Sequence, residues 1–186
     1  EGDEVLIPNP GYPTYESVTK LVGAKPVFYE LDAINNWSPD LKALSRIDLS
    51  KVKIMWVNYP HMPTGALPVK TLFADLVAFA KKHDILIVND NPYSFVLNET
   101  QQSILSIPGA KEVCLELNSL SKTFNMAGLS TSFLVIQNPE LKKKYADDEE
   151  FLDTILDIYN ERSVQINREA IKMANFIVAN GLLDKM

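Results

Sequence analysis

The chain has 186 residues, 46% hydrophobic and 23% charged, enough to bury one domain's core, or one domain and the start of another. A net charge of -6 argues against nucleic acid or an anionic membrane as the main partner, and no apolar run is long enough to span a bilayer. Cys114, the only cysteine, has no second thiol to pair with, which points to a reducing, cytoplasmic setting.

Residues 1–4 run straight into the strand-like Val5-Leu6-Ile7 without an initiator methionine or a leader, so the sequence reads as a piece of something longer. That strand breaks at Pro8-Asn9-Pro10-Gly11, and Thr14 is placed to cap a helix reaching about Val22. Residues 25–30 read as a second strand, followed by a loop and a short helix around Leu41 and Leu44. A buried strand over 53–58 stops at Tyr59-Pro60-His61-Met62-Pro63-Thr64-Gly65. Leu72, Phe73, Leu76, Val77 and Phe79 have helical spacing within 70–83. Residues 85–88 are continuously apolar, the pattern of a strand buried on both faces, and end at Asn89-Asp90. After a connection over 103–111, strands follow at 113–117 and 133–136. From Pro139 onward the chain is charged and helical in pattern, with Phe151, Ile155, Leu156 and Ile158 on one helix and 166–178 on another. Alternating strands and helices predict an α/β fold, a mostly parallel sheet flanked by helices, over 1–138, with a helical segment over 139–186.

In such sheets ligands sit beyond the carboxyl ends of the strands, where this chain carries Asn58, Asp90 and residues 118–122. Lys122 follows a buried strand through Ser119 and Ser121, whose hydroxyls and nearby N–H groups can hold an anion. Partial burial there would lower the amine's pKa and free it to attack a carbonyl. A Schiff-base lysine beside a phosphate site is what pyridoxal 5'-phosphate (PLP) requires, though Ser-x-Ser-Lys alone also describes an exposed loop. Asp90 can pair with a protonated pyridine nitrogen and Tyr93 can donate to a phenolate, or the two can form a plain Asx turn with a buried ring. Tyr12 is a flat aromatic suited to stacking on a pyridine, or to ordinary packing. His61 reads more naturally as a solvent-facing loop residue than as a catalytic base. No metal site is expected.

Together, Val5 to Tyr15 (VLIPNPGYPTY), Asn58 to Gly65 (NYPHMPTG), Asp90-Asn91-Pro92-Tyr93 and Ser119-Leu120-Ser121-Lys122 resemble, in order and spacing, four segments of the fold type I, class I/II aminotransferases. The resemblance implies the incomplete large domain of a PLP enzyme, with 139–186 leading toward a small domain. It implies a homodimer that exchanges an amino group between an amino acid and a 2-oxo acid. By the same resemblance Lys122 is the catalytic residue that carries PLP. Tyr12 stacks on the ring, Asn58, Asp90 and Tyr93 line the cofactor site, and Ser119 and Ser121 bind its phosphate. Three departures stand out: Met62 replaces an asparagine, Ser130 replaces a phosphate-binding arginine, and Gly-Trp-Arg is missing after Gly128. A phosphate-cradling loop before Glu1 and a carboxylate-binding arginine further on would also be expected. Two other readings stay open: a β-lyase or related α-carbon reaction on the same fold, and an inactive fragment serving as a binding module.

Overall fold

The computed structural model describes residues 2–96, 100, 102–123 and 132–135. The anticipated helices after Pro139 and the boundary at 138/139 lie outside the described residues. Within them, strand β1 (Glu4–Asn9) is followed by α1 (Thr14–Leu21), β2 (Lys25–Glu30), α2 (Leu41–Leu44) and β3 (Val52–Asn58). Then come α3 (Leu72–His83), β4 (Leu86–Asp90), α4 (Ala110–Val113), β5 (Cys114–Ser119), α5 (Leu120–Thr123) and β6 (Ser132–Val135).

The six strands form one sheet in the order β2-β1-β3-β4-β5-β6. All pairings among the first five are parallel, and β6 runs antiparallel to β5. From β1 the chain crosses outward to β2, then returns to the other side of β1 as β3. The strand order therefore reverses there, and a crevice opens at the carboxyl ends of these strands.

Side-chain alternation gives each face of the sheet its own core. Leu6, Met55, Val57, Ile87 and Cys114 point to one face and meet the apolar side of α3, where Phe73, Leu76, Val77 and Ala80 are buried. Val5 and Ile7 point to the other face, where Tyr15 of α1 covers them with Ile54 and Trp56 partly buried alongside. Cys114, enclosed in the first core beside Glu116, has its thiol pushed up to about 12 by burial, which keeps it unreactive.

Element ends follow local chemistry. Asp40 caps α2 by accepting from the Ala43 N–H at 2.9 Å. Asp84 closes α3 in the left-handed region at φ 54°, a conformation Asp tolerates better than most residues, and Ile85 N–H returns to the Ala80 carbonyl. Two expectations change. Thr14 does not cap α1: Pro13, at φ -59°, holds the N-cap position with no side-chain bond, its ring already fixed at a helical angle. Val113 belongs to the single turn α4, because Gly109 at φ 78° starts that turn and Lys81 binds Glu112 at 2.7 Å, clipping it to α3.

Candidate active site

The carboxyl ends of four parallel strands converge on a cavity of about 350 Å³ lined by Tyr12, Tyr15, Asn58, Met62, Asp90, Pro92, Tyr93, Ser119, Ser121 and Lys122. That volume falls within the range usual for small-molecule sites, roughly 300–1,000 Å³. Every residue assigned to the site from sequence lines this one cavity. Strand register explains part of the convergence: Asn58 pairs with Asp90 across β3–β4, and Asp90 with Leu117 across β4–β5, which brings Ser119 just beyond.

Asp90 is the electrostatic centre. Burial raises its pKa, and the hydrogen bond from Tyr15 partly counters that rise. The Tyr15 hydroxyl donates to Asp90 Oδ2 at 2.7 Å, while no described residue donates to Oδ1. Tyr15 stacks on Trp56 with centroids 4.7 Å apart at 11°, and meets Tyr12 edge-on at 5.8 Å. Desolvation first, and the Asp90 charge second, hold its hydroxyl far above the usual tyrosine range, so it is a fixed donor. The sequence reading passed over Tyr15. Its signal was there: three residues after Tyr12 at the start of a helix, it lies one turn along the same side.

Asn58 lines the cavity and also braces it. Its Nδ2 donates to the Asp90 carbonyl at 2.6 Å and its Oδ1 accepts from the Met62 N–H at 2.7 Å. Both ends of the amide are committed to bracing two loops, so it positions the walls of the cavity. The loop bearing Tyr93 is pinned at its base. Asn91 N–H donates to the Leu117 carbonyl at 2.8 Å, and Asn91 Nδ2 donates to the Gln102 carbonyl at 3.0 Å. Buried Glu116 accepts from Asn89 Nδ2 and from the Ile104 N–H, each at 3.1 Å. These bonds tie β4, which ends at Asp90, and β5 to the chain that returns from the loop.

Lys122 stands exposed at the cavity's rim, contrary to the partial burial expected for it. It sits on the one-turn helix α5. Ser119 and Ser121 are half-buried beside it, with the Ser121 N–H donating to Ser119 Oγ at 3.2 Å. Tyr12 is 45% exposed, so a face of its ring remains open to a ligand. His61, expected at the surface, is 2% exposed, because its ring is drawn inward by bonds at both nitrogens. Met62 lines the cavity and its thioether offers no N–H donor.

A carboxylate with one oxygen bonded to a phenol and the other unbonded among the described residues, an exposed aromatic ring, a lysine amine and two hydroxyls line one cavity, a set that could hold a flat, polar ligand. The chain belongs to the family Aminotransferase class I and II, whose model matches residues 1–161. It is 43% identical over 136 residues to LL-diaminopimelate aminotransferase 2 of Trichormus variabilis, covering 72% of this chain and 35% of that protein. The Aquifex aeolicus LL-diaminopimelate aminotransferase is 41% identical over 142 residues, covering 75% of this chain and 36% of the relative. Among solved structures, an aminotransferase from Staphylococcus aureus aligns with a TM-score of 0.69 at 28% identity, covering 96% of this chain and 51% of that one. The chain thus spans about a third of the length of the curated relatives it matches. Members of this family use PLP.

Proposed function

We propose that this chain is the cofactor-binding part of a PLP-dependent aminotransferase that moves an amino group between an amino acid and a 2-oxo acid. The observation that carries the proposal is the meeting of Asp90, with Oδ1 unbonded by any described residue, and Lys122 in one cavity walled by Tyr12 and Tyr93. PLP supplies an electron sink for negative charge at a substrate's α-carbon. The residues present fit it. Asp90 Oδ1 is an acceptor for a ring N–H, and Tyr15 keeps the carboxylate oriented toward it. Tyr12 offers its open face to the ring, and Tyr93 offers a phenol to an anionic oxygen. Ser119 and Ser121 place their hydroxyls where a phosphate could sit. Lys122 would be the amine that holds the cofactor and that could carry a proton at the substrate's α-carbon.

Two departures weaken the cofactor's hold in this chain. Met62 gives no donor where an amide would, and Ser130 provides no guanidinium for a phosphate. The 186-residue chain is therefore expected to bind PLP weakly and to turn over no amino acid by itself, which keeps a binding role for the fragment as the second reading. Ser130→Arg is expected to strengthen binding by about 1–3 kcal/mol. The homodimer and the cytoplasmic setting belong to the same proposal. They are supported by the resemblance alone. Among the described residues no helix is long and apolar enough to cross a membrane.

Absorbance titration with PLP, then borohydride reduction and peptide mapping, tests the assignment. Label on Lys122 is the expected result. Label on another lysine, or no bound cofactor even in Ser130→Arg, overturns it.

A further inference from the structure

His61 belongs to none of the roles above, yet it touches two opposite parts of the site. It lies in the loop after β3, one residue before Met62, and its ring reaches across to the loop after β1, two residues before Tyr12. Its Nε2 is 3.2 Å from the Pro10 carbonyl and its Nδ1 is 2.8 Å from Thr64 Oγ1. The chemistry of the partners settles the tautomer. A carbonyl oxygen can only accept, so Nε2 carries the hydrogen and donates to Pro10. Nδ1 then accepts from the Thr64 hydroxyl, while Thr64 Oγ1 in turn accepts from the Ala66 N–H at 3.2 Å. The backbone closes the same loop, with His61 N–H to the Ala66 carbonyl at 2.8 Å and Gly65 N–H to the His61 carbonyl at 2.7 Å. The ring is thus held rigidly on one side and offers its single N–H to the other.

We propose that His61 is a positioning residue that sets the spacing between the Tyr12 wall and the Met62 wall of the cofactor cavity. Its importance for catalysis rests on the cofactor reading given above; the clasp itself does not. Tyr12 and Met62 line the same cavity from these two loops, and the Nε2 bond to Pro10 is the side-chain bond from His61 to the Tyr12 loop. Tyr15 is anchored separately, by Asp90 and Trp56, so loss of the His61 bond would release Tyr12 without releasing Tyr15. The described groups around the ring carry no charge. Tyr59 is 5.9 Å away between centroids, and the 430 Å³ cavity that His61 also lines is walled by Pro60, Met62, Pro63, Leu67, Tyr93 and Val96 with Gly65. Burial lowers the imidazole's pKa below the ordinary histidine value, the Pro10 bond opposing this in part. The clasp is therefore closed at neutral pH. Acidification through the depressed value places a hydrogen on Nδ1, so the Thr64 hydroxyl turns from donor to acceptor there, while the Nε2–H bond to Pro10 persists.

The test uses the full chain, which has two histidines, so its imidazole spectrum is simple. Long-range ¹H–¹⁵N spectra are expected to show His61 as the neutral Nε2–H tautomer at pH 7. The ring protons of Tyr12, edge-on to Tyr15, are expected to carry a ring-current shift. His61→Phe keeps the ring and removes both bonds. It is expected to move Tyr12 toward the shift of a free tyrosine and leave Tyr15 in place, with His61→Gln restoring part of the difference through its amide donor. PLP titration of the same variants is expected to show roughly tenfold weaker binding for Phe than for Gln, the effect of one hydrogen bond. An Nδ1–H tautomer, or a Tyr12 ring unmoved in His61→Phe, overturns the clasp. Tyr12 displaced as expected in a protein that never binds PLP would uphold the clasp and count against the cofactor reading.

Discussion

The two faces of the sheet are built to different ends. On the α3 face, Leu6, Met55, Val57, Ile87 and Cys114 are sealed beneath helices, and this face carries the continuous apolar core. On the α1 face, Ile54 and Trp56 are only partly buried, Phe28 is 48% exposed, and the cover is a short aromatic stack leading up to Asp90. Adjacent residues of one strand therefore do unlike work. Met55 and Val57 of β3 stabilise the domain, while Trp56 between them supports the phenol that binds a carboxylate. Stability comes from the closed face; the open face holds groups whose solvation and charge must stay adjustable.

The sharpest way to break that comparison is a pair of neighbouring substitutions. Met55→Ala removes a fully enclosed side chain and is expected to cost about 2–5 kcal/mol, read from denaturant midpoints. Ile54→Ala, one residue away on the open face, is expected to cost about 1–2 kcal/mol because less apolar surface leaves water there. Equal losses would mean that both faces carry the core.

The next effect is one of pH. The folded pKa of Asp90 is raised by burial despite the Tyr15 bond, so the native state holds that proton more tightly than the unfolded chain. Its contribution is most favourable below the unfolded value of about 3.9 and is lost as pH rises through the raised folded value. The stability difference between wild type and Asp90→Asn should therefore move in the mutant's favour across that window and then level off. A difference that stays flat with pH would place Asp90 in a polar, well-solvated setting. In a full-length active form the same substitution is expected to slow proton abstraction far more than it weakens PLP binding, as single-turnover kinetics would show.

The smallest stability effect is expected at Lys122, the residue to which the proposed function gives the chemistry. Lys122 is exposed and stands at the rim, so Lys122→Ala is expected to change stability by less than about 0.5 kcal/mol while abolishing borohydride-trapped PLP. A large destabilisation would show that the lysine packs as well as reacts.

Much of this was written along the chain. Periodicity alone marks the strands at 53–58 and 85–88 and the buried side of α3, since a strand buried on both faces must be apolar throughout and a half-buried helix must repeat every three or four residues. The motif order placed Tyr12, Asp90, Tyr93 and Lys122 at the ends of elements, which is where parallel sheets present ligands. What the tertiary structure decided is which of these groups touch. Tyr15 and Asp90 are 75 positions apart, and His61 and Pro10 are 51 apart. Their pairing depends on β1, β3 and β4 lying side by side, and strand order is set by long-range packing. The same holds for Asn58, whose amide is spent on the Asp90 carbonyl and the Met62 N–H, and for His61, which is buried because both nitrogens find partners. A sequence records which side chains can bond; the fold determines which partner each one has already taken.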